Sequence, residues 1–176
     1  MLFVIRLTGL AYLCCVLSLP AAETASDRMF ERFKALAGEW EGTFEWSHGR
    51  GESGKLKATY YLTGNGSALV ENLIMGDAPT MTTVYHVDGA DLRMTHYCGA
   101  RNQPRLKATH VDESAGAIEF SFVDVTNATA SPAYVNAFRI QFDGADRINL
   151  RFTFGGGSGK GAIENIALRR VAAAHS

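Results

Sequence analysis

The chain has 176 residues, with 17 Lys or Arg against 18 Asp or Glu, so its formal net charge is only -1. This balance lacks the basic excess of proteins that bind nucleic acid or anionic lipid, and we expect neither partner. The length suits one domain with a sizeable hydrophobic core.

The first 22 residues have the layout of a secretory signal peptide. Arg6 is their only charged residue, an apolar stretch runs from Leu7 to Leu19, and Pro20-Ala21-Ala22 offers small residues for cleavage. The stretch is shorter than the roughly 20 residues that span a bilayer, which argues against the alternative of a transmembrane anchor. We therefore predict removal of residues 1–22, a mature domain of residues 23–176 with no membrane span, and a periplasmic or secreted location.

One helix is predicted, over residues 26–37. Ser26 is a suitable N-cap, and Gly38 is a fitting stop after the last turn. The apolar residues of this segment fall on one helical face: Met29, Phe30, Phe33 and Leu36.

Beyond Gly38 the sequence changes to strands and turns. Turn signals such as Asp88-Gly89 and Asp143-Gly144 separate ten segments with strand character. These segments are 39–46, 55–63, 67–75, 80–87, 91–98, 105–111, 117–124, 133–142, 147–154 and 161–170. Short links without helices predict an all-β, up-and-down antiparallel barrel of about ten strands, because closure removes the exposed sheet edges. The alternative is an open β-sandwich.

The hairpin around Asp88-Gly89 predicts that His96 and Cys98 face the interior. A loop of two or of four residues places them on the same face as Tyr85 and Met94. An inward imidazole and thiol suit four roles: ligand contacts, metal or haem ligation, a base with a nucleophile, or structural core residues. Two such residues are too few for a zinc site.

Four further residues are candidates for polar contacts in the barrel. The hairpin at Asn65-Gly66 pairs Tyr60 with Glu71 and buries the carboxylate, whereas a slip of one residue exposes it. His110 shares the inward parity of its own strand. Arg105, after a polar loop, is a candidate for gripping a carboxylate or phosphate, unless that loop is an ordinary structural turn.

Two stretches carry a resemblance to known barrels. Gly38-Glu39-Trp40-Glu41-Gly42 resembles the Gly-x-Trp opening of lipocalin-type (calycin) barrels. Met94-Thr95-His96-Tyr97-Cys98, followed by Asn102-Gln103-Pro104-Arg105, resembles a bacterial family of exported lipocalin-like proteins of unknown function. This second similarity covers most of the mature chain; it implies a barrel and supplies no established catalytic residues.

A more distant resemblance is to nitrobindin-like haem barrels, which open with Gly-x-Trp-x-Gly-x-Gly-x-Tyr. The chain matches the first three of these positions and has Phe44 and Trp46 at the last two. The resemblance implies a proximal haem histidine near the C terminus, where this chain has only His175, in a tail past the last strand. We therefore expect no cofactor, with haem as the alternative.

Together these features predict an exported β-barrel that binds a small apolar or amphipathic ligand. The residues expected to contact it are Tyr60, Glu71, Tyr85, Met94, His96, Cys98, Arg105 and His110. Two alternatives stay open: a barrel-type isomerase with His96 or Glu71 as general base, and a structural envelope or stress protein with a packed core. No residue is predicted to be catalytic or to hold a metal.

Overall fold

The computed structural model describes residues 24–47, 51–129, 132–157 and 160–172. The predicted signal peptide, residues 1–22, lies outside these ranges. One helix, α1 (Ala25–Lys34), is followed by ten strands. These are β1 (Gly38–Ser47), β2 (Ser53–Thr63), β3 (Ala68–Ile74), β4 (Pro79–Asp88), β5 (Asp91–Tyr97), β6 (Gln103–Asp112), β7 (Ala117–Thr126), β8 (Tyr134–Asp143), β9 (Arg147–Gly155) and β10 (Ile163–Arg170).

The ten strands form a closed antiparallel barrel. Each strand pairs with its neighbour in sequence, and β1 also pairs with β10 to close the sheet. The predicted all-β barrel with one short N-terminal helix is confirmed, and the open sandwich is wrong. Within the ranges described, no helix has the length and apolar character needed to cross a membrane.

The seam between β1 and β10 depends on a glycine and on an arginine. A Cβ atom on Gly42 would lie 1.8 Å from the carbonyl oxygen of Ala167, so only glycine allows this approach. The guanidinium of Arg170 lies 4.4 Å from the ring centre of Trp40 and donates a hydrogen bond of 2.7 Å to the carbonyl of Ala35. Arg170 thereby ties the last strand to the end of α1.

Helix α1 begins earlier than predicted. Its N-cap is Thr24, whose hydroxyl accepts from the backbone N–H of Asp27, while the Asp27 carboxylate accepts from the backbone N–H of Thr24. This reciprocal capping box satisfies two N–H groups, which a cap at Ser26 would not do in this way. Ser26 lies instead in the first turn and is buried. The prediction of Ser26 as the cap is therefore wrong.

The apolar face of α1 closes one end of the barrel, as its predicted periodicity requires. Phe33 is fully buried, and its ring centre lies 4.7 Å from that of Tyr85 and 6.0 Å from that of Phe120. Because neighbouring strands are antiparallel, the end of β5 and the start of β10 lie away from this helix. Glu71, Thr83, His96 and Glu164 are all buried and face the interior.

Candidate functional site

A row of four polar side chains crosses the interior from β2 to β5. Tyr60 lies directly opposite Glu71, Glu71 opposite Thr83, and Thr83 opposite His96. Directly opposed residues in a sheet point to the same face, so the four side chains meet inside the barrel. None is more than 3% exposed. The two predicted hairpin registers that bury Glu71 and His96 are thus confirmed.

Glu71 sits at the centre of this row and accepts three hydrogen bonds. The hydroxyls of Tyr60 and Tyr85 donate to its Oε2 at 2.7 and 3.1 Å, and that of Thr83 donates to its Oε1 at 2.9 Å. Burial raises the pKa of Glu71, and the three donors oppose that shift. Burial and the adjacent carboxylate raise the pKa of both tyrosines well above their ordinary value, so both remain protonated donors.

The hydroxyl of Thr83 links this carboxylate to His96 and determines which ring nitrogen carries the proton. Its oxygen lies 2.8 Å from Nδ1 of His96. A hydroxyl has one proton, and Thr83 donates it to Glu71, so Nδ1 of His96 must be the donor in the second bond. The neutral imidazole is therefore protonated on Nδ1 and bears a lone pair on Nε2.

Nε2 of His96 is a buried acceptor that nothing else in the described protein satisfies. The residue is 1% exposed, and Nε2 has no hydrogen-bond partner within the described ranges. The ring packs 5.1 Å from that of Phe152, and burial lowers the pKa of His96 to about 4, so the ring is neutral at neutral pH. An unsatisfied buried polar atom costs about 1–3 kcal/mol, which a hydrogen-bond donor placed at Nε2 would recover.

Two further predicted contact residues lie near the row. Met94 is buried directly opposite Tyr85 on the neighbouring strand. Cys98, just after β5, is half-buried against the core, less enclosed than its shared face with Met94 led us to expect. The role of these residues as ligand contacts stays a prediction.

The structure corrects the placement of Arg105. It precedes the buried Leu106 on β6 and therefore points to the outer face, where its Nη2 bonds Oδ2 of Asp124 at 2.7 Å. Both side chains of this pair are about half exposed. Arg105 thus points away from the interior, and the prediction that it makes a polar contact inside the barrel is wrong.

His110 is the second correction. A register shift between Ala108 and His110 inserts an extra residue into β6 and breaks the alternation on which its inward placement was predicted. His110 consequently lies opposite the outward-facing Glu119 and is exposed. It does not share a cavity with His96.

Sequence reasoning missed a second interior carboxylate. Glu164 on β10 is fully buried and alternates with the buried residues Ile166 and Leu168. It lies directly opposite Phe152, the residue whose ring packs on His96. The period-two alternation of the last strand was the available signal for its inward orientation.

Neither a metal centre nor the haem arrangement implied by the nitrobindin resemblance is found in the described residues. No group of three or more His, Cys, Asp or Glu there is placed to hold a metal ion. His175 lies outside those residues, and neither β9 nor β10 carries a histidine. The described C-terminal strands therefore do not fit a proximal haem ligand.

Three grooves in the described structure lie on the outer wall of the barrel, with volumes of about 370, 280 and 250 Å³. Outward side chains such as Lys55, Lys57 and Arg139 line them, and none includes Glu71 or His96. The interior row is therefore separate from these three grooves.

Comparison with known proteins supports the barrel and goes no further. No protein-family model matches the chain, and no curated protein matches it in sequence. A protein of unknown function of the DUF3598 family from Nostoc punctiforme PCC 73102 is 15% identical, with a TM-score of 0.54 over 78% of this chain and 48% of its own. The chain thus spans about half the length of that protein.

Rv2717c from M. tuberculosis is similar at 12% identity, with a TM-score of 0.52 over 81% of this chain and 97% of its own. At such identities the likeness concerns the fold alone. The chain is therefore similar in fold to these two barrels.

Proposed function

We propose that this protein is an exported binding protein whose barrel holds a small apolar or amphipathic molecule through a hydrogen bond to Nε2 of His96. The observation that carries the proposal is the buried, neutral imidazole with an acceptor atom that has no partner in the described protein. Native proteins satisfy nearly all buried polar atoms, so a bound molecule with a donor group would supply the hydrogen bond that Nε2 lacks.

The surroundings of His96 suit an apolar molecule with one polar group. The ring of Phe152 packs on one side, with Phe138 stacked 4.7 Å beyond it, and Met94 is buried two residues along the same strand. Small-molecule sites are typically apolar with a few fixed polar groups. Here the hydrogen bonds from His96 to Thr83 and from Thr83 to Glu71 hold the imidazole in one tautomer. Nε2 of His96 is therefore a preformed acceptor for the polar group of the molecule.

Binding is favoured over general-base catalysis by the protonation properties of the row. A base works best when its pKa lies near the operating pH, whereas the pKa of His96 is lowered to about 4. Glu71 is fully buried, and three hydroxyl donors occupy most of the acceptor sites with which it could take a proton from a substrate. A packed structural core, with an ordered water at Nε2, is the outcome to be distinguished experimentally.

The proposal is tested by native mass spectrometry of the purified protein, followed by titration with the retained molecule and with 1-dodecanol as a probe. His96→Phe keeps an aromatic ring and removes the acceptor. We expect its affinity to fall roughly tenfold or more, the equivalent of one lost hydrogen bond of about 1.5–3 kcal/mol.

His110→Phe is the matched control, since the same replacement is made at an exposed histidine on the outer wall. Its affinity should equal that of the parent protein. Absence of any retained molecule and of dodecanol binding, together with a lower melting temperature for His96→Phe alone, would support the packed-core alternative and reject the proposal.

Export is tested separately, by N-terminal sequencing of the protein recovered from the periplasm or medium. We expect a chain that begins near Glu23. A protein that retains Met1 would contradict the export part of the proposal.

A further inference from the structure

We propose that the outer wall of the barrel carries a second binding site, which holds a small dianionic oxyanion such as phosphate between Arg139 and Arg151. This site lies on the other face of the sheet from the interior row, because Arg151 alternates with the buried residues Leu150 and Phe152 on β9. It goes beyond the proposed function and does not depend on it. The inference is carried by a pair of like charges that the described protein neutralises only in part.

Arg139 and Arg151 lie directly opposite each other on β8 and β9. Opposed residues have Cβ atoms about 4.5–5.5 Å apart, and like charges in this arrangement are destabilising. Nε of Arg139 lies 3.6 Å from Oε1 of Glu119, and its Nη1 donates to Oε1 of Gln141 at 3.3 Å. Arg151 is exposed, and its side chain makes no hydrogen bond or ion pair with the described residues. A single carboxylate thus neutralises the pair, and it contacts only one of the two arginines.

A second pair of arginines on the same wall is fully neutralised. Arg147 and Arg169 are also directly opposite each other, on β9 and β10. Nε of Arg147 bonds Oδ2 of Asp143 at 2.7 Å, and Arg169 forms an ion pair with Glu41. Each guanidinium of this pair therefore has its own carboxylate. The difference between the two pairs identifies Arg139 and Arg151 as the place where an added anion would relieve the greater repulsion.

The surface around Arg139 and Arg151 has room for an anion. Both arginines line two of the grooves on the outer wall, those with volumes of about 280 and 250 Å³. The first groove contains one carboxylate, Glu45, and the second contains Glu119. Two arginines against one glutamate leave each groove with an excess of positive charge. An anion can therefore approach the pair from either side.

The donor groups of the site match a tetrahedral oxyanion. Each guanidinium presents a fork of N–H donors that suits two oxygens of a phosphate or carboxylate. Two adjacent forks fit an ion with several oxygens and two negative charges better than they fit a monoanion. The side-chain amides of Asn149 and Asn165 line the same groove and offer further N–H donors. We therefore expect phosphate to bind in preference to a simple carboxylate such as acetate.

The inference is tested by titrating the purified protein with inorganic phosphate while recording the NMR signals of the arginine Nε–H groups. The pH is kept above neutral, where phosphate is mainly dianionic, and the ionic strength is held constant with chloride. We expect saturable shifts for Arg139 and Arg151 and none for Arg147 and Arg169. Acetate should bind at least roughly tenfold more weakly, as the loss of a charge-assisted hydrogen bond implies.

Three variants test the origin of the binding. Arg151→Gln should lose roughly tenfold or more in phosphate affinity, whereas Arg147→Gln, from the neutralised pair on the same strand, is the matched control and should lose none. Glu119→Gln removes the carboxylate beside Arg139 and should strengthen phosphate binding about twofold or more, a gain that a disturbed fold would not produce.

Two results would overturn the inference. One is that the signals of all four arginines shift together without saturation, which indicates general screening by the salt. The other is equal phosphate affinity in Arg151→Gln and the parent protein. Neither result would affect the proposed function, because binding at His96 is measured separately with 1-dodecanol.

Discussion

The barrel interior has two halves that differ in the polarity of their buried side chains: the end closed by α1 and the half that contains His96. At the helix end, Phe33 packs on Tyr85 and Phe120, and Arg170 binds a carbonyl at the end of α1, so apolar surface and backbone groups are satisfied by the chain itself. In the other half, His96 and Glu164 place an acceptor and a carboxyl group among aromatic rings. The contrast teaches that the chain itself closes one end, whereas in the other half Nε2 of His96 is buried without a hydrogen-bond partner among the described residues.

The largest effect is expected from opening the closed end. Phe33→Ala removes a fully buried ring and should lower the free energy of unfolding by about 4 kcal/mol, from lost burial and the cavity left behind. Chemical denaturation measures this value. Tyr97→Ala, on the outer wall with about half of the side chain exposed, is the control and should change stability little. Equal effects would show that α1 is not an essential closure.

The second effect is a dependence of the free energy of unfolding on pH, and it comes from His96. The pKa of His96 is lowered from 6.5 to about 4 by burial, so between these values the unfolded chain binds a proton that the native chain does not. Stability should therefore fall as pH is lowered through this window, by about 3 kcal/mol, and be insensitive to this group above it.

Denaturation of the parent protein and of His96→Phe at several pH values isolates this contribution. The raised pKa of Glu71 acts in the opposite direction, because the native carboxyl then binds its proton more readily than the unfolded one. The difference between the two proteins removes most of that background. Parallel pH profiles would contradict a buried neutral histidine.

The third effect comes from removing the carboxylate of Glu71, which accepts three hydrogen bonds. Glu71→Ala leaves the hydroxyls of Tyr60, Thr83 and Tyr85 without their acceptor, and relief from burying a carboxylate offsets part of this cost. We expect a net loss of about 2 kcal/mol in denaturation experiments. Glu71→Gln keeps an acceptor oxygen and should lose less. A larger loss for Gln than for Ala would contradict the hydrogen-bonded row.

The smallest effect concerns the outer wall. Arg105→Ala removes an ion pair with Asp124 whose partners are both about half exposed, and solvent screens the attraction in such surface pairs. The free energy of unfolding should stay within the error of the measurement, and dodecanol affinity should not change. Weakened binding would return Arg105 to the list of ligand contacts.

Much of the polar row was predictable because turn chemistry determines strand register. The turns at Asn65-Gly66 and Asp88-Gly89 set the parity of their hairpins, and parity alone places Glu71 and His96 inside. The meeting of the four side chains in one row was not predictable, since it depends on how two separate hairpins align across β3 and β4.

The errors have an equally local origin. A bulge after Ala108 turns His110 outward, and a single extra residue of this kind leaves no signature in the alternation of apolar residues. Another register shift, between Val135 and Ala137, buries Val135 although the other buried residues of this strand, Phe138 and Ile140, have the opposite parity. Glu164 was not among the predicted interior residues, although it alternates with Ile166 and Leu168, because a charged residue in a strand is ordinarily exposed.

The most direct test of the account is the nitrogen NMR spectrum of His96, recorded for the free protein and during titration with 1-dodecanol. In the protein without ligand, we predict that the imidazole of His96 carries its proton on Nδ1, as the hydrogen bond to Thr83 requires, and has no proton on Nε2. Saturation should shift the Nε2 resonance toward that of a hydrogen-bonded nitrogen and change Nδ1 little. A proton on Nε2 in the free protein, or an Nε2 resonance unmoved at saturation, would contradict the claim that this atom holds the ligand.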